Sequence, residues 1–311
     1  MINTFAHRPQ VSPANTPALD DSAAIDAALQ RRLSRWNHRR LDPAKPHADW
    51  EADLAEEHTM RQLEGAFVES QRLLVADRAA AAPSDVEGFI AWFEGLKVDG
   101  PGQDDPLFPW LERAADFESM RWFLEQEVAG EAGFDDLVAL TQVKMPVVAK
   151  LELARNYWDE MGRGAQAGMH GPMLDQLAQA LELRPAIETT EPASLALGNT
   201  LVAFATTRRY AYHAVGALGA VELTAPWRAD LVAKGLKRLG VGKTRKYFAL
   251  HATLDIAHSE AWNAEVLRPL VTADPDCARF IAEGALMRLE AGRRCYEAYR
   301  AHLWPSLAAT G

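Results

Sequence analysis

Cysteine is almost absent: Cys277 and Cys295 are the only two in 311 residues, and they stand too far apart for a CxxC metal or redox motif. A disulfide framework and thiolate metal sites are therefore excluded, and the scarcity fits a reducing compartment, so a cytoplasmic protein is expected. Positive charge is in deficit as well. A net charge of -10 sets the molecule against phosphate backbones and anionic lipid surfaces, which argues against nucleic-acid and membrane partners. No long apolar run goes unbroken. The longest, around residues 195–221, contains Arg208 and Arg209, and residues 1–17 have no apolar core following a basic cluster. The β-branched alternation of strands is missing too. A phosphate loop is absent: Gly242-Lys243-Thr244 has the right ending, but Lys237 occupies the position of the first glycine, so the segment reads as a turn between helices. The basic residues from Lys234 to Lys246 read as a solvated face.

What remains is a chain with 48% hydrophobic residues, rich in Ala, Leu, Glu and Arg, with apolar positions three and four apart. Pro, Gly and Asp clusters divide it into helices expected at about 20–37, 48–80, 85–96, 112–141, 146–163, 168–183, 191–222, 226–240, 244–268 and 275–303. An all-α fold follows. The stretch 98–109 is the candidate boundary between an N-terminal helical extension, 1–97, and a helical domain, 98–311; continuous packing across it is the alternative.

The chemistry concentrates in His251-Ala-Thr-Leu-Asp255-Ile-Ala-His258. At about 100° per residue, His251, Asp255 and His258 fall within about 60° of one another, so two imidazoles and a carboxylate share one stripe of a largely apolar helix. Buried, they need partners, and together they suit a metal better than three unrelated core residues. Oxygen-rich ligands with imidazole favour redox iron over structural zinc. Glu222 is a further candidate, since it closes the small-residue run Gly216-Ala-Leu-Gly-Ala-Val-Glu222 at a helix end where the dipole disfavours it. Glu160 and His170 flank a glycine-rich connection, although Asp159 and Glu160 beside a turn also fit a plain surface role. Glu127 sits in an aromatic-flanked helix, with Glu125 and Glu131 as alternatives. Arg208 and Tyr212, within about 80° of Glu222 if one helix carries all three, are candidates for holding a substrate carboxylate. They equally suit an internal salt bridge or a surface.

The ordered set Glu127, Glu160 with His170, Glu222, and His251, Asp255, His258 resembles the ligand pattern of the haem-oxygenase-like diiron oxidases, also described as iron-containing redox enzymes. The resemblance covers roughly residues 105–303 and rests on the DE-x-G-x-G-x4-MH, GALGAVE and H-x3-D-x2-H segments. It implies a haem-oxygenase-like bundle of about seven helices holding two Fe(II) ions, with dioxygen as co-substrate. The implied activities are N-oxygenation, desaturation or oxidative carbon–carbon cleavage of a small, amino-acid-like or fatty-acid-like molecule. A homodimer stays open. A ferritin-like site would show two E-x-x-H motifs, and none occurs. The rival reading is a metal-free helical binding or scaffolding protein whose acids and histidines only form internal networks.

Overall fold

The computed structural model describes residues 26–46, 49–130 and 133–304. Among them no strand forms, and the one extended pairing is an isolated antiparallel bridge between Met161 and Met169. The first three helices are α1 (Ala27–Leu41), α2 (Trp50–Ala80) and α3 (Val86–Asp99). Asp26, Asp49 and Asp85 cap them, each accepting from backbone N–H groups of the first turn. Next come α4 (Leu107–Arg113), α5 (Phe117–Gly130), α6 (Phe134–Thr141), α7 (Val147–Glu160) and α8 (His170–Ala180). The chain ends with α9 (Pro192–Thr206), α10 (Ala211–Arg238), α11 (Lys246–Trp262), α12 (Arg268–Ala273) and α13 (Cys277–Leu303).

Central to the bundle is α10, which packs against α13, α11, α4 and α9. Glycines make its closest approach possible: a Cβ on Gly216 would collide with the carbonyl of Ile281, and one on Gly284 with the backbone of His213. The small residues around Gly216 thus serve helix contact, as their spacing suggests. One core cluster joins Leu33 of α1, Val68 of α2 and Phe89 of α3 to Val215, Leu218 and Ile281, so packing runs continuously across residues 98–109. A second cluster at the other end gathers Phe108, Phe123, Leu177, Leu236 and Tyr299. No helix among the described residues is long and apolar enough to cross a membrane.

Several long helices expected from periodicity are interrupted. Residues 112–141 divide where Asp116 accepts from the N–H of Ser119 and starts α5 afresh, and where Gly133, at φ +70°, starts α6. Residues 191–222 break at Thr207, whose hydroxyl accepts from Arg61 Nη1 at 2.8 Å while the backbone turns extended. Conversely, α10 runs through Pro226, although a helix end was expected there. Missing one N–H costs the helix one bond, and its packing on four neighbours outweighs that loss. After α11 the chain widens into a π-helical turn, Asn263–Leu267, ahead of Pro269, whose ring would clash with the carbonyl four residues back in an ordinary helix.

Candidate metal centre

Glu160 is the last residue of α7 and His170 the first of α8. The link between them turns through left-handed backbone at Gly162 (φ +61°), Arg163 (φ 54°) and Gly164 (φ +83°), and a Cβ on Gly162 would strike the backbone of Gly168. The Met161–Met169 bridge closes this loop. As a result Glu160 Oε2 lies 2.5 Å from His170 Nδ1, both side chains being buried.

From α11, His251 donates Nδ1–H to the carbonyl of Tyr247 at 2.8 Å, which leaves Nε2 with its lone pair. Its ring stands edge-on to that of His170, centroids 4.6 Å apart. Burial, and then the neighbouring His170, hold its pKa below the usual value, as a ligand that must be neutral requires. About two turns further on, His258 donates Nε2–H to Asp159 Oδ2 at 3.2 Å and turns Nδ1 toward Glu222 Oε2, 3.5 Å away. Burial disfavours its charged form, but Glu222 and Asp159 outweigh burial and raise it to about 9.

Glu222 receives a hydrogen bond from Asn156 Nδ2 at 2.6 Å. Asp255 is buried beside it, and burial together with the like charges of Glu222 and Glu160 pushes its carboxyl well above the carboxylate range. Donor atoms of Glu160, His170 and His251 all lie within 4.8 Å of one another, and so do those of Glu160, Glu222 and His258; Glu160 is common to both groups. Asp255, His251, Glu160 and Glu222 line a cavity of about 160 Å³, and Glu127 lines it as well. Glu127 accepts from Tyr299 Oη at 3.1 Å and belongs to neither three-donor group; burial pushes its carboxyl up. Glu125 is engaged elsewhere, accepting from the N–H of Arg184, and Glu131 lies outside the described residues.

The two candidates for substrate contact fall away from this cavity. Because the chain breaks at Thr207, Arg208 is not on the helix of Glu222; it is exposed and donates to the carbonyl of Thr141 at 3.3 Å. Tyr212, ten residues before Glu222, is about 15 Å away along α10 and neighbours Asp274 and Cys277. In their place stand Arg228 and Arg288, both buried and both lining the cavity. Sequence reasoning also passed over Asn156 and gave Asp159 only a surface role, yet they orient Glu222 and His258. The position of Asn156 four residues before Glu160, on the same face of α7, was the available signal; Asp159, adjacent to Glu160 and about 100° around the helix, gave none. For the arginines the signal was a charge inside an otherwise apolar stretch.

A family model described as iron-containing redox enzyme matches residues 121–293, more than half of the chain and a span that includes every member of the two three-donor groups as well as Glu127, Asp255, Arg228 and Arg288. The chain belongs to that family. No curated protein matches it. As an iron-containing redox enzyme it is an iron-dependent oxidoreductase on an all-α, haem-oxygenase-like bundle, and α1 to α3 precede the matched span. The residues present fit iron. Buried His170 Nδ1, His258 Nδ1 and Asp255 Oδ1 have no hydrogen-bond partner, a costly state for protein alone and the expected one for donors meant for a cation. Crowded carboxylates and imidazoles without a thiolate are iron's donor chemistry.

Proposed function

We propose that this iron-containing redox enzyme is a non-haem diiron oxidase or oxygenase that uses dioxygen to oxidise a small organic molecule. The observation that supports the reading is the position of Glu160 in both three-donor groups, so that one carboxylate would serve two adjacent metal positions. Glu160, His170 and His251 would hold one iron and Glu160, Glu222 and His258 the other, while Asp255 and Glu127 complete the set from the cavity wall. Bound there, the two irons would supply electrons to dioxygen and oxidising power to the substrate.

The chain's own residues prepare this chemistry. Tyr247 and Asp159 fix the ring orientations of His251 and His258, so that His251 Nε2, and His258 Nδ1 once iron displaces its proton, would face their metal positions. Asn156 aims Glu222 by holding its other oxygen. Phe108, Phe123, Phe134, Phe248 and Tyr296 wall the cavity and exclude water from the oxidising step. The rival scaffold reading leaves the orphaned donors of His170, His258 and Asp255 unexplained. We place the enzyme in the cytoplasm, in keeping with its two buried free thiols.

Anaerobic ferrous titration tests the reading: about two ferrous ions should bind per chain. Rapid mixing of the loaded protein with oxygen should then give a transient visible absorption that Glu222→Ala suppresses. Well-folded protein that takes up no iron would refute the proposal, and featureless oxidation identical in wild type and Glu222→Ala would refute its dioxygen half.

A further inference from the structure

Two cations stand in the wall of the cavity without a carboxylate at ion-pair distance. Arg228, from α10, and Arg288, from α13, are 8% and 9% exposed. Arg228 makes one hydrogen bond, from Nη2 to Thr224 Oγ1 at 3.0 Å, and lies 5.9 Å and 5.8 Å from the ring centroids of Phe108 and Tyr296. Arg288 Nε is buried without any partner. Among the described residues neither guanidinium has a carboxylate within ion-pair distance. Glu127 faces both and Asp255 faces Arg228, and one oxygen of Glu127 is taken by Tyr299. Burying a guanidinium unpaired costs several kcal/mol, so a bundle that retains two side by side is built for a ligand that completes them.

The surroundings narrow the ligand. A guanidinium fork matches the two oxygens of a carboxylate and binds them more strongly than a neutral group. Beyond Arg288 a second cavity of about 100 Å³ shares Glu127 and Arg288 with the first; Leu137, Leu197 and Leu201 give it an apolar side, while Gln126, Ser194 and Tyr299 are polar. The apolar side suits the body of a small organic molecule. A phosphate dianion would gain nothing from the apolar side of these walls, whereas the body of an organic acid would. With ferrous ions in place the acidic ligands are neutralised, and the two guanidiniums remain as buried positive charge that one monoanion would reduce.

We propose that Arg228 and Arg288 anchor the substrate: they hold the carboxylate of a small organic acid whose apolar body lies along the aromatic wall, facing Glu222, Asp255 and His251. This rests on the diiron reading for the word substrate. The binding of a carboxylate by the two arginines can be tested apart from it.

Isothermal titration of the full chain, metal-free and ferrous-loaded under anaerobic conditions, with phenylacetate, phenylacetamide and inorganic phosphate makes the test. Phenylacetate should bind at least about tenfold more tightly than phenylacetamide in both forms, and phosphate should bind far more weakly. Arg228→Met and Arg288→Met should each erase the preference for the acid while leaving phenylacetamide binding and iron stoichiometry in place. Should a Met variant not fold, Arg228→Lys and Arg288→Lys keep the charge but lose the fork, and each should reduce the preference. Equal binding of acid and amide by the wild type, or phosphate binding as tight as phenylacetate, would overturn the proposal. A preference for the acid in protein that takes up no iron would support the anchor and refute the diiron centre alone.

Discussion

Glu160 Oε2 and His170 Nδ1 are 2.5 Å apart, yet His170 Nδ1 has no directed hydrogen bond, so two buried donors are brought together without satisfying each other. The left-handed turn between α7 and α8, closed by the Met161–Met169 bridge, brings the two residues together. A cation beside them, held by both, would resolve the conflict.

Glu160→Ala should therefore abolish ferrous uptake at both positions, whereas His251→Ala should reduce the stoichiometry to about one, since only Glu160 serves both groups. Iron analysis after anaerobic loading, read beside circular dichroism, decides. Two irons bound by Glu160→Ala would remove the carboxylate from the centre.

Asp159→Ala should leave the ligands in place but weaken iron binding about 10–100-fold, because His258 loses the acceptor that fixes its tautomer and ring plane. Competition for iron with a chelator of known affinity measures this. Unchanged affinity would show Asp159 serving only Arg163, to which it is also bonded.

Gly284→Ala should destabilise the protein by about 1–3 kcal/mol, since the new methyl meets the backbone of His213 and must push α10 from α13. Gly95→Ala, on α3 with open space around the new methyl, should instead be neutral or stabilising by up to about 1 kcal/mol. Denaturant midpoints of the two variants, compared at constant slope, give the answer.

Acid should weaken the bundle through Glu283. Burial alone would raise its pKa, but hydrogen bonds from His213 Nε2 at 2.9 Å and Arg72 Nε at 2.6 Å outweigh burial and hold it at about 2. A carboxyl depressed in the folded state contributes stability above its unfolded pKa and loses that contribution as pH falls through the folded one. Stability should thus decline between about pH 4.5 and pH 2. Glu283→Gln should cost on the order of 3 kcal/mol at neutral pH and flatten this decline in urea titrations.

Local periodicity carried much of the centre. His251, Asp255 and His258 share a stripe in any α-helix, and the glycines after Glu160 require a turn whatever the rest of the chain does, because both follow from backbone geometry over a few residues. The all-α class was legible for the same reason. Only the tertiary structure decided that Glu160 stands in both groups of donors, that Arg208 and Tyr212 are remote, and that Arg228 and Arg288 line the cavity. Those outcomes depend on where the chain breaks at Thr207, how it passes Pro226, and how closely Gly216 and Gly284 let α10 meet α13. Each is a competition between local bonds and contacts from residues far along the chain, such as Arg61 on Thr207, and spacing within one helix carries no record of it.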